Sequence, residues 1–220
     1  IILRSTDRYK SALKVAITGN IIDFAPGHPI NRDVVLDAIS QVESRDLAID
    51  DSACLYDDLS HARRVLYIGD NCGEIVFDKA CIAYLRSLFP SLDVYYGVRG
   101  KPILNDATME DARLVGMDEV ATVIDNGDNS PGTLIDCIAP EFKRILYDAD
   151  VIVAKGQGNF ESLSGIDRGR VYFLFMAKCN VVADLVGVER MDLVCMANHR
   201  LTPQPAVAAV HRAPDPFHPT

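Results

Sequence analysis

Beyond Arg64 the hydrophobic positions alternate between two rhythms. Short apolar runs, rich in β-branched and aromatic residues, recur at 65–68, 92–98, 120–124, 151–154, 171–176 and 192–196. Their length and composition predict strands, several of them buried on both faces. Between them the apolar residues take helical spacing. Ile75, Ile82, Leu85 and Phe89 share one face and are closed off by Pro90, residues 109–115 form a shorter helix, and residues 178–185 form another. Leu134, Ile135, Ile138, Phe142, Ile145 and Leu146 predict a strongly amphipathic helix. Residues 126–132 read as a loop and 155–159 as a glycine-rich turn. Strands alternating with helices predict an α/β fold, a mostly parallel sheet with helices on both faces.

The ends differ from this middle. Tyr9, Leu13, Ala16, Ile17 and Ile21 keep a helical period, as do Val34, Val35, Ala38, Ile39 and Val42, with Asn31 as a cap after Pro29. Residues 1–62 are therefore expected to be a helical region and 63–198 the α/β core. Residues 199–220 are rich in proline and lack amphipathic period, the pattern of a disordered tail. The chain opens at Ile1 without a methionine, so its start carries no information.

Composition narrows the function classes. A chain of 220 residues with 49% hydrophobic content can bury a substantial core. Its net charge of −9 disfavours nucleic acid as the main partner, because binding a phosphate backbone needs clustered Lys and Arg. A small-molecule ligand fits better. No apolar run approaches the ~20 residues that span a bilayer, and no signal-peptide pattern is present, so a cytoplasmic location and no membrane partner are expected. The six cysteines form no CxxC pair and read as small buried hydrophobes. The five histidines lack zinc-site spacing, so any metal here is expected to have oxygen ligands.

Three segments at strand ends carry the candidate chemistry: Asp70 and Asn71, residues 99–106, and residues 155–161. In a parallel sheet all three reach one edge, where such folds bind ligands. Asp70 offers a carboxylate and Asn71 a carbonyl, a pairing suited to a hard cation, and Asp106 offers a second carboxylate. Each of the three also fits a plain helix cap. Lys155, in Lys155-Gly156-Gln157-Gly158-Asn159, is either a snorkelling surface side chain or a point charge for a phosphate. Arg99 fits an ordinary ion pair as well as a ligand clamp. Neither GxxxxGK[ST] nor GxGxxG is present, and no serine elbow or Cys–His pair is legible, which leaves metal-assisted hydrolysis as the natural class.

Residues 69–78 (GDNCGEIVFD), 98–112 (VRGKPILNDATMEDA), 155–163 (KGQGNFESL) and 177–179 (AKC) resemble the domain-of-unknown-function-89 family, the metal-dependent damage-control phosphatases. Residues 19–24 (GNIIDF) resemble its GNxxDF segment, and the likeness runs in order from about residue 10 to 197, closest to the stand-alone archaeal and bacterial branch. The resemblance implies a three-layer α/β/α sandwich with a helical N-terminal region. It also implies hydrolysis of small phosphate esters, such as sugar phosphates or damaged phosphorylated metabolites, with manganese, cobalt, nickel or magnesium as cofactor. It assigns Asp70, Asn71 and Asp106 to the metal and Lys155 to the phosphate, and it places Asn20, Asp23, Glu74, Arg99 and Asn159 around the pocket. That branch carries a longer helical N-terminus with a CxxC pair, and this chain lacks the pair.

The expected mechanism has the cation activate a water, Lys155 neutralise the phosphate, and Glu74 or Asp23 orient the water, with an aspartyl-phosphate route through Asp70 as a variant. The competing readings are a methyltransferase-like enzyme using the turn at 69–73 for S-adenosylmethionine, and a non-catalytic phosphometabolite-binding module. The sequence does not define the oligomeric state.

Overall fold

The computed structural model describes residues 2–19 and 40–201. Among them the elements run α1 (Arg8–Thr18), β1 (Leu47–Asp50), α2 (Ser52–His61), β2 (Arg64–Ile68), α3 (Ile75–Leu88), β3 (Asp93–Val98), α4 (Met109–Leu114), β4 (Thr122–Asp125), α5 (Pro140–Asp148), β5 (Val151–Lys155), α6 (Gly156–Leu163), β6 (Val171–Met176), α7 (Asn180–Val186) and β7 (Leu193–Ala197). The strands form one sheet in the order β1-β7-β6-β5-β2-β3-β4. Pairing is parallel throughout except between β6 and β7.

The period of two along each strand divides the core into two layers. On one face Val65, Tyr67, Val94, Tyr96, Val153 and Leu174 pack against Ala16 and Ile17 of α1, Leu55 and Leu59 of α2, and Ile75, Ile82 and Leu85 of α3. On the other, Leu66, Ile68, Ile152, Phe173 and Phe175 pack against Phe142 and Ile145 of α5, Phe160 and Leu163 of α6, and Val182 and Ala183 of α7. The result is the expected three-layer α/β/α sandwich. Among the described residues no helix is long and apolar enough to cross a membrane.

Three expectations need correction. Residues 47–50, inside the region read as helical, form β1, whose Leu47 and Ile49 alternate with exposed neighbours and pair with β7. The amphipathic helix begins at Pro140 and not at Leu134. Proline lacks an N–H and is tolerated in the first turn of a helix, while Leu134 accepts from Cys137 and Ile138 in a separate turn. The glycine-rich stretch after β5 is the helix α6, entered through Gly156 at φ +77°. The expected helix over 31–42 and the tail lie almost wholly outside the described residues.

A charge network without access to water joins five of these elements. Lys155, at the end of β5, is 0% exposed, as are Glu74 and Asp78. Its ammonium donates to Asp78 Oδ1 at 2.7 Å, to Glu74 Oε2 at 3.0 Å and to the Ala16 carbonyl of α1 at 3.0 Å. Asp78, on α3, accepts two further bonds, from the hydroxyls of Tyr67 on β2 at 2.8 Å and Tyr96 on β3 at 2.9 Å, whose rings stack on each other. A buried charge persists only when paired and fully hydrogen-bonded, and this carboxylate is both. Tyr67→Phe and Tyr96→Phe, which delete one donor each at nearly constant volume, should each lower unfolding free energy by about 1–3 kcal/mol in urea titrations. Unchanged midpoints in both would show that Asp78 does not need the hydroxyls.

Candidate functional site

The sheet order has a switch point between β2 and β5, because the chain leaves β2 towards β3 and β4 on one side and leaves β5 towards β6 on the other. Open α/β sheets bind ligands in the crevice at such a point, beyond the carboxyl ends of the strands. Asp70 and Asn71 follow β2, Lys155 ends β5 and Gly156 opens α6, Arg99 follows β3, and Lys178 follows β6. An open cavity of about 570 Å³ lies at the opposite edge, among Arg63, Arg64, Asp93, Asp148 and Asp150. Its charges are paired with one another, Arg64 with Asp93 at 3.6 Å and with Asp148 at 4.0 Å, and it holds none of the expected site residues.

The turn after β2 is laced to the loop after β3. Asn71 and Asp106 form an antiparallel bridge, the Cys72 N–H donates to the Asn105 carbonyl at 2.8 Å, and the Ala107 N–H donates to the Asp70 carbonyl at 2.7 Å. This lacing brings Asp70, Asn71 and Asp106 together. None of them caps a helix: α3 is preceded by Glu74, and α4 by Thr108 in a capping box with Asp111. The capping alternative is thereby removed for all three.

Each ligand candidate is held by a buried partner. Asp106 Oδ2 accepts from Arg99 Nε at 2.6 Å, and the rest of the Arg99 fork donates to the Gly132 carbonyl, to Thr133 Oγ1 at 3.3 Å and to Asn159 Oδ1 at 3.3 Å. Asn159 in turn donates to the Gly69 carbonyl at 3.1 Å and the Lys155 carbonyl at 2.7 Å, tying α6 to the ends of β2 and β5. The Asn71 N–H donates to Glu74 Oε1 at 2.9 Å, and Asn71 Nδ2 lies 3.3 Å from Asp70 Oδ2. The Asp70 carboxylate rests on Gly156, where a Cβ would fall 1.9 Å from Oδ2. Both that contact and the positive φ require glycine there.

The electrostatics follow from this crowding. Burial, reinforced by the negative charge of Asp106, pushes Asp70 up to about 6, while Arg99, Lys155 and Lys178 oppose the rise. Burial pushes Glu74 up to about 8 against the pull of Lys155, with Asp78 and Asp70 adding to the rise. For Lys155 burial alone favours the neutral amine, but Asp78 and Glu74 outweigh it and hold the ammonium above its ordinary value. A buried carboxylate whose proton affinity is raised by burial and by a second carboxylate, beside a carboxamide, is the donor chemistry that a hard divalent cation relieves. Among the described residues no group of three His, Cys, Asp or Glu is gathered for a metal.

The structure therefore brings Asp70, Asn71, Asp106, Arg99, Asn159, Glu74 and Lys155 to one edge, with different exposures. Lys155 is neither a snorkelling surface side chain nor a charge at the mouth, because it has no exposed surface. Arg99 and Asn159 are also buried, bonded to the framework described above. Asn20 and Asp23 lie outside the described residues. The sequence reading missed Lys178, which is half-buried at the end of β6 and near enough to Asp70 to draw its pKa down. Its position two residues past a strand that ends at the same edge was the available signal. The tyrosine pair behind Asp78 was missed as well.

Known proteins resemble this chain in sequence and in fold. A family model described as the damage-control phosphatase ARMT1-like domain matches residues 3–194. Damage-control phosphatase PH1575 of Pyrococcus horikoshii is 39% identical over 190 residues, covering 86% of this chain and 65% of that protein. Uncharacterized protein MJ0202 of Methanocaldococcus jannaschii is 38% identical over 197 residues, covering 86% and 63%. A damage-control phosphatase of Archaeoglobus fulgidus is 36% identical over 196 residues, covering 88% and 67%. The crystal structure of a DUF89 family protein from Pyrococcus horikoshii shares the fold with a TM-score of 0.80 at 38% identity, over 86% of this chain and 66% of that one. The chain spans about two thirds of the length of these relatives. By sequence and by fold, it belongs to the damage-control phosphatase ARMT1-like family.

Proposed function

We propose that this chain carries the catalytic core of a divalent-metal-dependent phosphatase, acting on phosphate monoesters of small metabolites such as sugar phosphates or damaged phosphorylated compounds. The carrying observation is the convergence of Asp70, Asn71 and Asp106 at the switch point without a capping role for any of them. The names of the Pyrococcus and Archaeoglobus relatives support the reaction class. The net charge of −9 supports a small ligand in preference to nucleic acid.

In this reading Asp70, Asn71 and Asp106 hold manganese, cobalt, nickel or magnesium. Those residues would place there the Lewis acidity that hydrolysis of a phosphate ester needs. The protein's own part is positioning. Arg99 fixes the Asp106 carboxylate, Asn159 ties the end of β2 to that of β5, and Glu74 holds the Asn71 backbone. Lys178 supplies positive charge near Asp70, a counter-charge suited to a phosphate. Glu74 is enclosed and occupied on both oxygens, so it orients the turn and leaves the attacking water to other groups.

The reaction class is tested by phosphate release from p-nitrophenyl phosphate and a sugar-phosphate panel, with each metal or with a chelator. Release should need added metal and fall by about 100-fold or more in Asp70→Ala and Asp106→Ala, the equivalent of several kcal/mol of lost stabilisation. Metal-independent release, or full activity in both variants, would contradict the assignment. For Lys178→Ala the expected change is a roughly tenfold higher KM for the ester, the size of one charge-assisted contact. An unaltered KM would remove Lys178 from the phosphate site.

A further inference from the structure

We propose that Lys155 is a positioning residue that sets the geometry of the cation site through Glu74, and that it makes no contact with the substrate phosphate. The inference rests on the phosphatase reading and revises the part that the family resemblance assigns to this lysine.

The count of donors and acceptors carries it. An ammonium has three N–H groups, and those of Lys155 have three protein acceptors: Ala16 O, Glu74 Oε2 and Asp78 Oδ1. The side chain is 0% exposed, and so are both carboxylates. Turning the ammonium towards a phosphate would strip a wholly buried carboxylate of its partner, at a cost of about 3–5 kcal/mol. What the ammonium does reach is the turn that carries the cation ligands. Glu74 is bonded at both oxygens, Oε2 by Lys155 and Oε1 by the Asn71 N–H at 2.9 Å. The route is therefore direct: Lys155 fixes Glu74, Glu74 fixes the Asn71 backbone, and that backbone orients the side chains of Asp70 and Asn71. The far end of the route is anchored, because Asp78 is held by Tyr67 and Tyr96. The turn also rests on this network, since a Cβ at Gly69 would lie 2.4 Å from the Tyr96 hydroxyl. Groups that hold cation ligands from behind typically change metal affinity by ~10–100-fold when removed.

The test separates two affinities in the intact chain by calorimetry: that for manganese alone, and that for inorganic phosphate on manganese-saturated protein. In Lys155→Met, manganese binding should weaken at least ~10-fold while phosphate binding at saturating manganese stays within about threefold, the ordinary scatter of a site left in place. Lys178→Met should show the mirror pattern, with weaker phosphate and unchanged manganese. Weakened phosphate with intact manganese affinity in Lys155→Met would overturn the proposal. Should that variant fail to fold by circular dichroism, Glu74→Gln, equal in size, decides: weaker manganese supports the route, and unchanged manganese overturns it. Wild-type protein that binds no manganese would instead overturn the phosphatase reading itself, so the two failures are distinguishable.

Discussion

The ammonium of Lys155 cannot reach water, and that constraint ties the fold to the site. A charge in a dry interior needs full pairing and full hydrogen bonding. Here the pairing is drawn from α1, from both carboxylates at the start of α3, and, through Asp78, from the tyrosines of β2 and β3. Shifting any of these elements by one residue would strand a charge. The network therefore fixes the relative positions of the strands on either side of the switch point more stringently than apolar packing alone, which tolerates many arrangements of similar volume.

From that fixed base the site is assembled by backbone lacing. The turn after β2 and the loop after β3 exchange main-chain hydrogen bonds around Asp70, Asn71 and Asp106. Arg99 and Asn159 then bind the loop, the turn and α6 into one unit. Three residues that looked like substrate contacts, Lys155, Arg99 and Asn159, are thus the frame that holds the ligand candidates, which are the groups nearer the mouth. Mutations in the frame and at the mouth should be separable by which affinity they alter, the cation's or the phosphate's.

Much of the architecture was legible because strand and helix periods are local. The runs around Val65, Val94, Val151 and Val171 announced buried strands, and their alternation with helices fixed the layer arrangement and the shared edge. β1 escaped because it has four residues, half-buried in alternation, and its neighbour in the sheet lies at the other end of the chain. The start of α5 was misread because Ile138 still faces the core although the helix begins only at Pro140. The environment of Lys155 was illegible for a different reason: its partners lie 77, 81 and 139 residues away in sequence. A lysine after an apolar strand looks like a surface group until those partners are assembled around it. Asp70 and Asn71 were readable as a polar step at a strand end, but only the observed position of the α3 cap removed the reading as helix caps.

One cation at the switch point of the sheet is expected to sit between Asp70, Asn71 and Asp106. Anomalous diffraction at the manganese absorption edge, from crystals grown with manganese and inorganic phosphate, tests it most directly. A single strong peak bounded by those three side chains is expected, with phosphate density on its Lys178 side. A peak elsewhere in the molecule, or no peak at that turn under saturating manganese, would contradict it.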